Sequence, residues 1–141
     1  MCNAFQGIKG LVLQLMTKTL VIYEDNARLR ESLELLLGTD TGFKIAGAFS
    51  DCTLVIDQME TLHPDLVIMD IGMPNEDGYS LIGSVRSLEL ERGRQIPAVA
   101  LTGYSGVEER RRLLSAGYQE CLSKPVDFDE LTTLLANLAA G

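Results

Sequence analysis

The sequence predicts an α/β domain: an open, doubly wound, five-stranded parallel sheet covered by five helices. Three observations carry that reading. Short apolar runs alternate with helix-spaced apolar positions five times after residue 17. The runs are continuous rather than alternating, which is the pattern of strands buried on both faces. Each pair of consecutive runs is separated by a helical stretch, so the strands pair through right-handed crossovers and lie parallel. With 141 residues the chain falls well short of the roughly 250 of an eight-fold barrel, which leaves the open sheet.

The elements follow in order. Residues 19–23 (TLVIY) form the first strand. A helix begins near Asn26, with Leu29, Leu33 and Leu36 at the four-then-three spacing of one face and Gly38 as its stop. Residues 43–49 form the second strand, and Asp51 is the expected N-cap of a helix carrying Val55, Met59 and Leu62. The third strand, residues 66–69 (LVIM), follows Pro64. A loop with Pro74 and Gly78 leads into a helix bearing Leu81, Val85 and Leu88, and the polar residues 89–95 read as a surface connection. Strand four covers residues 98–101, after Pro97. The next helix spans about 107–116 and stops at Gly117. Strand five is expected over residues 118–122. Leu131, Leu134, Leu135 and Leu138 then mark the apolar stripe of a final helix.

Residues 1–17 read as an N-terminal extension and residues 18–141 as the domain. The apolar stretch at residues 11–16 is broken by Gln14 and is far shorter than a bilayer span. It also lacks the basic start and small-residue cleavage site of a signal peptide. A short lead-in element and an upstream extension before Met16 remain alternatives. No internal repeat is present. Gly141 comes directly after the last helical stripe, so a stand-alone domain and a piece of a longer chain are both open.

The net charge of −8 repels nucleic-acid phosphates, and no direct nucleic-acid partner is expected. Arg110, Arg111 and Arg112 follow Glu108 and Glu109, a mixed run that reads as a solvated helix face. Cys2, Cys52 and Cys121 are scattered and odd in number, as free thiols in a reducing cytoplasm would be. His63, the one histidine, precedes Pro64 in an apparent loop and is not at ligand spacing from any cysteine.

In an open parallel sheet, ligands bind beyond the carboxyl ends of the strands. Glu24 and Asp25 follow strand one, Asp70 strand three, Thr102 strand four, and Ser123, Lys124 and Pro125 strand five. Helix capping accounts for single carboxylates or hydroxyls at such places, but Glu24 is a poor cap and Lys124 cannot be one. Three converging carboxylates repel one another and call for a cation. A hard ion such as Mg²⁺ suits them, because it takes one or two carboxylates together with a phosphate oxygen. An aspartate can itself attack phosphorus to form an acyl phosphate, a reaction that needs mainly in-line positioning and charge neutralisation.

The segments YEDN, MDIGMPNEDGY, ALTG and LSKP, in this order and spacing over about residues 18–140, resemble the receiver domain of bacterial two-component response regulators. The resemblance implies a flavodoxin-like strand order, 2-1-3-4-5. It implies Mg²⁺ held by Glu24, Asp25, Asp70 and the backbone carbonyl of Gly72. Asp70 then corresponds to the phosphorylated aspartate, Thr102 to the hydroxyl that moves onto the phosphoryl group, Lys124 to its cationic partner, and Pro125 to a proline after a cis bond. The implied activity is self-phosphorylation and autodephosphorylation at Asp70, with no external substrate. The implied partner is a sensor histidine kinase or a histidine phosphotransfer protein, and the implied pairing surface of a homodimer is the last two helices with strand five.

Two positions depart from the family pattern. Cys121 stands where an aromatic residue is usual, three positions before the lysine, and reads as a small buried hydrophobe. Gly72 has no side chain with which to shield an acyl phosphate. Two other readings compete. A haloacid-dehalogenase-like phosphatase would need a DxD after the first strand, where Glu24-Asp25 stands instead. A receiver-shaped interaction module without phosphorylation would draw on Cys121.

Overall fold

The alternation of side chains along five short strands decides how the helices are distributed. In the computed structural model, which describes residues 17–39, 42–73, 78–93, 95–104 and 106–140, the order is β1 (Lys18–Tyr23), α1 (Ala27–Leu37), β2 (Phe43–Phe49), α2 (Val55–Leu62), β3 (Leu66–Asp70), α3 (Gly78–Arg92), β4 (Ala98–Thr102), α4 (Val107–Ala116), β5 (Glu120–Ser123) and α5 (Phe128–Ala140). The strands pair in parallel in the order β2-β1-β3-β4-β5. The expected fold class and strand order are thus both present. The predicted extension lies outside the described residues except for Thr17, and so does Pro74.

Successive strand residues point to opposite faces. Leu20, Ile22, Leu66, Ile68, Val99 and Leu101 therefore pack on one side, with Leu33 and Leu37 of α1 and Leu131 and Leu135 of α5. Val21, Tyr23, Val67, Met69, Ala98 and Ala100 face the other side, against Met59 of α2, Ile82 and Val85 of α3 and Leu113 of α4. Each such aliphatic side chain, fully buried, contributes about 1.5–3 kcal/mol of transfer free energy. Burial on both sides explains the unbroken apolar runs: all five residues of β3 and all five of β4 are buried.

Four local expectations need correction. Leu36 is 44% exposed, and Leu37 is the residue buried on the inner face of α1, one full turn after Leu33. Asp51 does not cap α2: its Oδ1 accepts the Thr53 N–H at 3.0 Å, in the turn before the helix, which starts from Leu54 without a side-chain cap. Residues 89–92 are helical rather than connecting, because Glu89 is tied inward to Arg86 and to the Ile96 N–H. Tyr118 precedes β5, and its hydroxyl donates to the Gly78 carbonyl at 2.8 Å.

Two glycines are required by geometry. A Cβ on Gly78 would meet Ile71 at 2.8 Å, so α3 can start this close to the β3 loop only without one. Gly117 ends α4 at φ 129°, a left-handed conformation that disfavours side chains. At that end of the sheet Arg86 closes the corner. Its Nε and Nη2 donate to the Gly117 carbonyl at 3.0 and 2.6 Å, Nη1 to the Ile96 carbonyl at 2.7 Å, and Nη2 to Gln119 Oε1 at 2.6 Å. Gln119 Oε1 also accepts the Ala98 N–H at 2.7 Å, locking β4 to β5 at their starts.

Candidate functional site

Strand register brings the predicted residues to one edge. Asp70, the last residue of β3, pairs with Leu101 of β4, and Thr102 pairs with Ser123 of β5. Lys124 follows directly, its N–H donating to the Thr102 carbonyl at 2.7 Å, and a cis bond joins it to Pro125. At β1 the Glu24 N–H continues the ladder to the Phe49 carbonyl at 3.0 Å, which carries Glu24 into the interior.

The electrostatics are unusual for an interior. Glu24 is fully buried and Asp70 is 4% exposed. Lys124 Nζ lies 2.8 Å from Glu24 Oε1 and 3.2 Å from Asp70 Oδ2. Glu24, Asp25 and Asp70 each place a carboxylate oxygen within 4.8 Å of the others. Burial, then the proximity of Asp70, pushes the Glu24 carboxyl up to about 7. Its contact with Asp70 holds the outermost carboxyl, Asp25, below the ordinary range. Burial opposes the Lys124 ammonium, but Glu24 and Asp70 together outweigh it and raise the Lys124 pKa.

The backbone fixes this cluster. Glu24 Oε2 accepts the Asn26 N–H at 3.1 Å, and Asn26 Oδ1 caps α1 by accepting the Leu29 N–H at 3.0 Å. Arg30, one turn into α1, donates from Nη1 to the Glu24 carbonyl at 2.8 Å and reaches the Asp25 carbonyl at 3.5 Å. Gly72 N–H donates to Asp70 Oδ1 at 2.9 Å. Buried Thr102 offers its Oγ1 to the Tyr104 N–H at 3.1 Å. Sequence reasoning missed Arg30. An arginine four residues after an N-cap is an ordinary exposed helix residue until the carbonyls above it are known.

A divalent cation fits these residues. The donors are hard oxygens, and three carboxylates face one ammonium. Glu24 Oε1, fully buried, accepts no hydrogen bond of regular geometry among the described residues, and the Lys124 ammonium stands 2.8 Å from it. An oxygen in that condition is better satisfied by a cation than by water-free protein.

Beside this edge, Cys121 is buried at 9% exposure, with Sγ 3.9 Å from Arg110 Nη1. Burial pushes its thiol pKa up, which leaves it a weak nucleophile. On α4 the arginine run is the solvated face expected, with Arg110, Arg111 and Arg112 all exposed. Arg111 pairs with Glu108 in the open. Arg110 instead pairs with Glu120 at 2.9 Å, and Arg112 lies 5.1 Å over the Tyr79 ring.

The family model of the response regulator receiver domain matches residues 20–136. The chain belongs to this family. As a receiver domain it is similar to an uncharacterised 14.6 kDa protein from the sodA1 3′ region of Leptolyngbya boryana, at 35% identity over 82% of this chain and 86% of that one. It is also similar to the virulence transcriptional regulatory protein PhoP of Salmonella typhimurium, at 34% identity over 82% of this chain and 49% of PhoP, about half that protein's length. The signal receiver domain of the DNA-binding response regulator merR from Colwellia psychrerythraea superposes with a TM-score of 0.77 at 24% identity, over 88% of this chain and 99% of that one, a likeness of fold. Receiver-family membership excludes the dehalogenase-like reading. No helix among the described residues is long and apolar enough to cross a membrane.

Proposed function

We propose that this receiver domain, over residues 18–141, accepts a phosphoryl group on Asp70 from a phosphohistidine of a sensor histidine kinase or histidine phosphotransfer protein. The observation that carries this is the buried Glu24–Asp70–Lys124 contact, with Asp25 at its mouth and Thr102 one register step away. An Asp70 carboxylate oxygen attacks phosphorus. The new O–P bond forms as the P–N bond to the donor imidazole breaks, and that nitrogen leaves with the electron pair. Lys124 neutralises charge at the Asp70 oxygens, the Gly72 N–H orients Oδ1, and the Thr102 hydroxyl is positioned to donate to a phosphoryl oxygen. Glu24, Asp25, Asp70 and the Gly72 carbonyl would hold Mg²⁺, which supplies further charge neutralisation when bound.

The domain then works as a cytoplasmic switch whose protein-binding face changes with phosphorylation. Two copies pair through α4, β5 and α5. The test is direct. With Mg²⁺ and acetyl phosphate the intact protein gains the mass of one phosphoryl group, and Asp70→Asn gains none. Unchanged mass in the parent protein overturns the reading in favour of a receiver-shaped module that binds partners without phosphate.

A further inference from the structure

Tyr104 stands two residues past Thr102 and is divided between two environments. Its N–H is engaged by Thr102 Oγ1 at 3.1 Å, while its ring projects into solvent and the residue is 74% exposed. Next to the ring a cavity of about 320 Å³ opens between α4 and β5, lined by Thr102, Tyr104, Val107, Arg110, Cys121 and Pro125 among others. At about 30 Å³ per molecule that space takes about ten waters, which is ample for a phenol ring. The small side chain of Cys121 forms part of its wall, beside Leu122 of the same strand.

Resting on the reading of Asp70 as acceptor, we propose that Tyr104 is the aromatic element that registers phosphorylation, by entering the cavity over Cys121. A phosphoryl group on Asp70 draws the Thr102 hydroxyl toward its oxygens. The lone pair that accepts the Tyr104 N–H then turns away, and the loop loses the bond that holds it outward. Val107, Cys121 and Pro125 give the ring apolar walls, and burying its face removes apolar surface from water. The Arg110 guanidinium, 3.9 Å from Sγ, supplies a cation for the ring face. Arg110 also holds Glu120 at 2.9 Å. Arrival of the ring therefore alters an ion pair at the rim of β5, and the signal reaches the surface there. The two states differ in which groups Thr102 and Arg110 contact, the differential interaction that a population shift requires.

Cys121 reports the movement. The full chain is treated with a maleimide before and after phosphorylation by acetyl phosphate and Mg²⁺, and labelling is mapped by peptide. Buried Cys52 serves as an internal control. Labelling of Cys121 slows about fivefold on phosphorylation if the ring is seated in four molecules out of five. Tyr104→Phe keeps the slowing, and Tyr104→Ala loses it while gaining the same phosphoryl mass. Equal slowing in Tyr104→Ala overturns the proposal, as does an unchanged rate in a parent protein whose mass shows full phosphorylation. Absence of the mass gain refutes the acceptor reading itself and removes this one with it.

Discussion

The two ends of the sheet each hold a partly buried cluster of charge, and they are built to opposite specifications. At the amino ends of β4 and β5, Arg86 is saturated: Nε, Nη1 and Nη2 all donate, mostly to backbone carbonyls, and Glu89 balances its charge. At the carboxyl ends, three carboxylates converge, two of them on a single lysine, and one buried oxygen accepts no hydrogen bond of regular geometry among the described residues. Buried polar groups are normally satisfied, so the two ends differ in how completely their charge is matched. The Arg86 corner spends its interactions on holding helices and strands together, whereas the Asp70 edge sets three carboxylates against one ammonium.

The contrast is broken most strongly by removing the central cation of each cluster. Lys124→Ala is expected to slow phosphoryl uptake about a hundredfold, as loss of a transition-state charge partner does, in a time course of intact mass. Arg86→Ala is expected to cost about 2–3 kcal/mol in urea unfolding, since it strands the Gly117 and Ile96 carbonyls, and to leave the uptake rate of the folded protein unchanged. A large uptake defect in Arg86→Ala would show that the two ends are coupled. The smallest effect sharpens the comparison through pH. Without metal, Glu24 in the fold holds its proton up to about 7, well above the unfolded chain. Its contribution to stability is therefore present at acid pH and is lost as the pH rises through about 7. Mg²⁺ needs the ionised carboxylate, so the sign reverses for binding. Affinity measured by calorimetry should be about tenfold weaker at pH 6 than at pH 8. The Arg86 corner has no counterpart to this dependence on Mg²⁺.

The Asp70 edge was largely legible in the sequence because its residues each follow an apolar run, and a parallel sheet aligns the ends of such runs. The Arg86 corner was not. Its partners at residues 117 and 119 are more than thirty positions away, and an arginine on a helix has no pattern that announces a carbonyl. The misplaced α1 face has a simple cause. Leucines at 35, 36 and 37 allow both three- and four-residue spacings from Leu33, and only packing against the sheet selects Leu37. Asp51 illustrates the reach of a short side chain: it serves the nearest N–H, which belongs to a turn and not to the helix beyond. Cys121 was visible as a departure, but the cavity it lines beside Tyr104 required three dimensions.

Among the described residues the sheet also ends twice, at β2 and at β5, and each outer strand carries backbone groups with no described strand beyond. β5 is four residues long and bears Glu120, while β2 bears exposed Lys44. Short length and charge are what discourage edge-to-edge growth of sheets into larger assemblies. Extension of the sheet from either edge is therefore disfavoured, although both rows of backbone groups face outward.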